Sequence, residues 1–203
     1  LQLRRRRRLR RRRRLGRLVN LAREPNMDHR TNRWIRLLRH RWLDETDAAR
    51  ALDAAALKRL EDRVAASERG HRGEIRVCVE TGLPLSYLWR RASARERAVT
   101  MFGKLRVWDT EHDSGVLIYL LLAERAIEIV ADRGLNRHVQ PAQWQALIGT
   151  MREAFRAGRF EQGLAQAIDA VDTLLAQHFP LDGGDAADGA PNPNELPDRP
   201  HVR

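Results

Sequence analysis

The chain has 203 residues, 42% of them hydrophobic, a formal net charge of +11 at pH 7 and one cysteine. That is enough apolar material for one good core, which favours a single domain with tails, and a lone cysteine excludes an internal disulfide framework. The basicity is confined to one end: residues 1–26 hold twelve arginines against Glu24 alone, and residues 27–203 balance 26 basic with 26 acidic side chains.

The arginine block, Arg4 to Arg8 and Arg10 to Arg14 with Arg17 and Arg23, reads in two ways. It is either the low-complexity product of sequence upstream of an initiator at Met27, or an arm that binds nucleic acid or another polyanion by releasing phosphate counterions. Nucleic acid is a partner only on the second reading. Residues 27–43 interleave Trp34, Ile35, Leu37, Leu38, Trp42 and Leu43 with Arg33, Arg36, Arg39, His40 and Arg41. This is the pattern of a basic amphipathic helix, which either lies on a membrane surface or packs on its own domain or a partner chain. No secretory apolar region and no run of about 20 apolar residues occurs, so the expected location is cytoplasmic, with peripheral membrane contact as the alternative.

A first helix is expected from Asp53 as N-cap, with Leu57, Leu60 and Val64 inward and its end near Gly70. Gly73 to Glu80 alternates as a strand, with Cys78 as a small buried residue and Glu80 passing into a loop. Ser93-Ala94-Arg95-Glu96 has the capping-box pattern and opens a helix with Val99, Phe102 and Leu105 on its buried side. Val116 to Ala123 is a continuous apolar run of strand length, typical of a central strand, and the arm after it places Ile127, Ile129 and Ala131 on one face and Glu128, Val130 and Asp132 on the other. Pro141 suits the first turn of a helix carrying Trp144, Leu147, Ile148, Met151 and Phe155, which Gly158 ends. The last helix, from about Phe160 to His178, buries Leu164, Ile168, Val171, Leu174 and Leu175 and stops at Pro180. From Leu181 onward Gly, Asp, Asn and Pro dominate, which predicts a disordered tail over 181–203. The fold class is α/β: a small mixed sheet sandwiched between helices in a Rossmann-like three-layer arrangement over 44–180, with disordered N- and C-terminal tails.

The helix between the first two strands makes the connection a right-handed β-α-β crossover, so both strands start at one edge. If the following turn is Glu124-Arg125 alone, Gly115 lies opposite Gly134, and Asp113 and Asp132 join Glu74 at that edge. With strands about 4.8 Å apart, Glu74, Asp113 and Asp132 form an acidic pocket, with Asp109, Glu111 and His112 in the loop leading to it and His138 nearby. Carboxylates with loop carbonyls suit a hard divalent cation, Ca2+ with about six to eight oxygens or Mg2+ with one or two carboxylates and several waters. The structural alternatives are an Asx turn or cap at Asp113 and a surface pair of Asp132 with Arg133 or Arg137. Arg133 and Arg137 would suit an anion such as a phosphate, or form an ordinary charged surface. Gly-x-Ser-x-Gly, the phosphate-binding loop ending in Gly-Lys-Ser/Thr and Gly-x-Gly-x-x-Gly do not occur.

Asp113, Gly115, Val116 and Leu117 in an Asp-x-Gly-Val-Leu segment, the strand Ile127 to Ile129, and Phe-x-x-Gly-x-Phe-x-x-Gly-Leu from Phe155 to Leu164 together resemble the TPM domain, found in thylakoid-lumen proteins associated with photosystem II repair and in many bacterial proteins. The chain looks like a bacterial subgroup: it has Ala-Asp-Arg-Gly at Ala131 to Gly134 where Val-Gly-x-Gly is usual, and Asp-Ser-Gly in place of Asp-Asn-Gly. The resemblance implies a divalent cation at acidic loops and either a non-enzymatic accessory domain engaging a protein partner, at a membrane in some relatives, or a weak metal-assisted acid phosphatase in which the ion polarises the phosphoryl oxygen.

Overall fold

The structure is a computed structural model that describes Arg36, His40 and residues 49–181 and 194–203. Over these residues the order is α1 (Ala54–Ser67), β1 (Glu74–Glu80), α2 (Leu85–Trp89), α3 (Ala94–Lys104), β2 (Gly115–Leu121), β3 (Ala126–Ala131), α4 (Arg133–Asn136), α5 (Pro141–Arg156), α6 (Phe160–His178) and β4 (His201–Val202). The sheet runs β3-β2-β1-β4, antiparallel between β2 and β3 and parallel elsewhere. No described helix is long and apolar enough to cross a membrane.

Local chemistry sets most element ends. The Asp53 carboxylate accepts from the Ala56 N–H at 2.6 Å and opens α1. Pro141 starts α5, where the Gln143 amide oxygen accepts from the Gln140 N–H at 2.7 Å. Ser93 caps α3 by accepting from the Glu96 N–H, while the Glu96 carboxylate turns outward to Arg90. Alternation along β1 and β2 then divides the core in two. Ile75, Val77, Val79, Val116, Ile118 and Leu120 pack under α1, α5 and α6. Cys78, Leu117, Tyr119 and Leu121 pack under α2 and α3, and burial pushes the Cys78 thiol up to about 12. At roughly 1.5–3 kcal/mol for each fully buried large apolar side chain, the first face, with Phe155, Leu164, Ile168, Val171 and Leu175 all at 0% exposure, is the larger source of stability.

The structure first departs from the sequence expectation at α3. The buried side of α3 is Ala94, Arg97, Ala98, Met101 and Phe102, with Val99 and Leu105 only partly buried. The stripe turns because Arg97 points inward. Its guanidinium donates to both Glu80 oxygens, at 2.7 and 2.5 Å, and the Tyr119 hydroxyl donates to Glu80 at 2.8 Å. Glu80 is therefore the buried last residue of β1 and not a loop residue.

The second correction concerns the C-terminus. Residues 194–203 are not a structureless tail: His201 and Val202 pair with Cys78 and Val79, Arg203 donates to the Val79 carbonyl, and Leu196 is buried. Polar side chains hold this return. Arg76 donates to the Pro197 and Arg199 carbonyls, Glu74 accepts from the Leu196 N–H, and Asp198 lies beside Glu68. These contacts span over a hundred residues, so no local pattern announces them. Burial, with Glu74 and Asp198 nearby, pushes the Glu68 carboxyl up to about 9, so it is a neutral acid at neutral pH.

The residue 27–43 segment lies outside the described residues except for Arg36 and His40, and these two dock on the domain. Arg36 donates to Glu124 at 2.8 Å and to the Ala92 carbonyl at 2.8 Å, and His40 contacts Glu124 and accepts from the Leu83 N–H. The arginine block at 1–26 also lies outside the described residues.

Two outcomes follow. Arg97→Met should cost about 3–5 kcal/mol in denaturant unfolding, because it strands the buried Glu80 carboxylate; a loss under about 1 kcal/mol would mean the pair is solvated. Glu68 binds its proton more tightly folded than unfolded, so its contribution is whole below about pH 4.5 and is lost as pH rises towards about 9. Glu68→Gln should therefore flatten the decline in Tm between about pH 5 and about pH 9, while a parallel decline in both proteins would place the titrating group elsewhere.

Candidate functional site

The starting edge of β1 and β2 is where the predicted carboxylates fall, and the hairpin register decides what they do there. Leu122–Glu124 form a single 3-10 turn and Arg125 takes a left-handed conformation, φ 48°. Four residues thus connect the strands instead of two. Leu121 pairs with Ala126, and the Asp132 N–H donates to the Gly115 carbonyl. Gly115 lies opposite Asp132, not Gly134.

Glu74, Gly115 and Asp132 consequently form one row across the sheet. The alternation that sends Glu80, Cys78 and Val130 to the second face sends these three there too. Two strand spacings separate Glu74 from Asp132 at the backbone, about 10 Å, and the gap is filled. A Cβ on Gly115 would lie 1.9 Å from the Val107 carbonyl oxygen, so the loop after α3 presses onto the sheet between the two acids. Glu74, at 0% exposure, turns under the C-terminal return and accepts from Leu196.

On the β3 side the geometry differs. Asp113 sits at φ 52°, in the left-handed region that short polar side chains tolerate, and its two carboxylate oxygens accept from the Arg133 guanidinium at 2.8 and 2.7 Å. The side chains of this pair are 32% and 45% exposed, and Asp113 raises the Arg133 pKa by hydrogen bonding. Asp132 caps α4, accepting from the Arg133 N–H at 2.7 Å. Gly134 donates its N–H to the Asp113 carbonyl at 3.0 Å, and a Cβ there would lie 2.5 Å from that oxygen and 2.8 Å from the His112 carbonyl. Only glycine admits this approach.

Of the predicted site residues, the structure thus brings together Asp113, Asp132 and Arg133, and Glu74 stands across the Val107 carbonyl from them. Asp109, Glu111 and His112 are exposed on the loop before β2, where the Glu111 N–H donates to Glu195. Arg137 is exposed beyond α4, and His138 stacks on His178 at 5.0 Å. Among the described residues no three His, Cys, Asp or Glu side chains form a group able to hold a metal ion. The oxygens on this side are the partly exposed Asp113 carboxylate, the buried Asp132 carboxylate, and the His112 and Asp113 carbonyls that lie against Gly134. Oxygens of this kind would suit a hydrated hard cation rather than an all-protein cage.

Sequence reasoning missed a second concavity, at the other edge. A pocket of about 120 Å³ runs along β3 between α3 and α5, lined by Arg95, Glu128, Ile129, Trp144 and Arg152 among others. Its signal was present as Arg95 and Arg152, but only the tertiary fold sets them on either side of one strand.

Comparison with known proteins agrees with this architecture. No curated protein matches the sequence. Among solved structures, the BA42 protein from the psychrophilic bacterium Bizionia argentinensis is similar at a TM-score of 0.63 and 27% identity, over 75% of this chain and 95% of that one. The N-terminal domain of a P. gingivalis protein shares the fold at a TM-score of 0.53 and 20% identity, over 64% of this chain and 82% of that one. The TPM domain model matches residues 46–174, which include the Asp113, Asp132 and Arg133 edge and both halves of the core, and the chain belongs to the TPM domain family.

Proposed function

We propose that this TPM domain is a non-enzymatic accessory module that takes up a divalent cation, Ca2+ or Mg2+, at Asp113 and Asp132, with Arg133 as the cation's internal competitor. The observation that supports this is the Asp113–Arg133 pair. Both oxygens of a partly exposed carboxylate already face one positive group, and an exposed pair of this kind is worth only about 0–1 kcal/mol. An incoming ion displaces the guanidinium at small cost and gains Asp113, with Asp132 and the loop carbonyls beside it. Binding would thereby release Arg133 to solvent or to an anionic partner, which links occupancy to a change in surface charge. On this reading the protein works in the cytoplasm with a protein partner, or peripherally at a membrane surface.

A weak metal-assisted acid phosphatase remains the second reading, because a released Arg133 would stand beside the ion where a phosphoryl group would bind. Polyanion binding is the third, carried by the charge balance of residues 1–26, and it requires affinity for DNA that falls steeply with salt.

Calorimetric titration with Ca2+, Mg2+ and Mn2+ separates these readings. Asp113→Asn should weaken binding at least about tenfold, and Arg133→Met should tighten it by a similar factor, about 1.4 kcal/mol, by removing the competitor. Equal affinity in the wild-type and Asp113→Asn proteins would end the assignment. Hydrolysis of an aryl phosphate should, on the second reading, require the metal and fall in step with binding in Asp113 and Asp132 variants.

A further inference from the structure

The two edges of the sheet are treated differently. At the β1 edge the chain folds its own residues 201–202 back as a parallel strand. At the β3 edge no strand follows among the described residues, and a row of unpaired backbone groups at a sheet edge is a template for another chain. The pairing shows which groups these are. Since Asp132 bonds inward to Gly115, the even residues of β3 face β2 and the odd ones, Ile127, Ile129 and Ala131, present their N–H and C=O groups outward.

The outward carbonyls of Ile129 and Ala131 are already occupied by side chains, the Arg95 guanidinium and the Asn136 amide respectively. The outward N–H groups of Ile127, Ile129 and Ala131 have no partner among the described residues. Beside them, the Trp144 indole Nε1 and the Asn136 Oδ1 are buried and lack a hydrogen-bond partner among the described residues. Both line the groove along this edge, with Ile148 as an apolar wall. Unsatisfied buried polar atoms cost about 1–3 kcal/mol each, so the groove favours an occupant that supplies both acceptors and a donor. A simple anion offers acceptors alone; a peptide backbone offers both. The rim adds charge: Arg95 and Arg152 flank the single carboxylate of Glu128, which lies 3.6 Å from Arg95.

We infer that the outer edge of β3, between α3 and α5, is a docking site for an extended, acidic peptide segment of a partner protein, which adds to the sheet as a fifth strand. Its carbonyls accept from the Ile129 and Ala131 N–H groups, its acidic side chains meet Arg95 and Arg152, and Arg95 swings from the Ile129 carbonyl to a carboxylate as the strand enters. Strand addition of this kind takes its affinity from the main chain and its specificity from flanking side chains. The site deepens the accessory-module reading by naming the partner's chemistry, and it lies apart from the Asp113 edge, so either can fail without the other.

The probe is a capped heptapeptide alternating valine and glutamate, titrated into the full isotopically labelled chain and followed by amide resonances. The expected result is saturable shifts at Ile127, Ile129, Ala131 and the Trp144 indole N–H, slowed hydrogen exchange at the three amides, and unchanged resonances at Asp113 and Arg133. Arg152→Glu should weaken binding about tenfold or more, with Arg152→Lys retaining most of it. The lysine counterpart of the peptide and a backbone N-methylated acidic peptide should both fail to bind. Four results would overturn the proposal: no binding at millimolar peptide, binding that survives N-methylation, shifts that map away from β3, or concentration-dependent shifts of the same amides without peptide, which would assign the edge to a second copy of this chain.

Discussion

Arg97 is the side chain on which the second face of the sheet depends. A guanidinium and a carboxylate each lose several kcal/mol of hydration when buried, and the pair is tolerated only where geometry and further hydrogen bonds restore it. Here Arg97 and Glu80 meet in two parallel bonds, the Tyr119 hydroxyl donates to the same carboxylate, and the Arg97 guanidinium also stands 5.1 Å from the Tyr87 ring centre. One cluster thereby fastens α3 and α2 to β1 and β2. It fixes the crossover helix in rotation, which is why Ala98 and Met101 go inward while Val99 goes to the side. The hydrogen bonds to Glu80 raise the Arg97 pKa, and burial beside the Glu80 charge raises that of Tyr119, so Arg97 and Tyr119 both keep their protons through the neutral range.

With α3 fixed, the loop that follows it is fixed too. Val107 comes down over Gly115, separates Glu74 from Asp132, and divides one acidic row into two environments. On the β1 side, Glu74 and the neutral Glu68 become fasteners for the returning C-terminus. On the β3 side, Asp113 stays partly exposed in its pair with Arg133, and Asp132 is buried beneath it as the cap of α4. A single backbone contact therefore sorts carboxylates of similar sequence context into a structural set and a candidate binding set.

The same asymmetry runs across the sheet. The first face is broad and apolar under three helices and supplies most of the stability. The second carries nearly all the buried charge, and the Asp113 edge opens beside it, while the β3 groove runs along the seam, with Ile129 and Trp144 of the first face on one wall and Arg95 on the other. Changes at the Asp113 edge can therefore be made without disturbing the Phe155, Leu164 and Ile168 core.

Periodicity and capping determined the elements. Asp53, Ser93 and Pro141 mark helix starts because each satisfies or removes a specific orphan donor, and the alternation from Ile127 to Asp132 fixes which side chains share a face; such signals act within a few residues and survive in any fold. The sequence likewise places Glu74, Asp113 and Asp132 at one edge, because a crossover and a hairpin leave little choice. What tertiary structure decided is everything that depends on a partner far away in the chain. The hairpin register turned on a four-residue connection in which Arg125 adopts the left-handed region. Arg97 reads as a surface residue until a buried Glu80 is opposite it. Residues 194–203, polar and rich in Asp, Asn and Pro, gain order only because Arg76, Glu74 and Glu68 wait for their backbone at the edge of β1. Composition records the entropy that such a segment must lose on ordering, but it contains no trace of the distant groups that offset it.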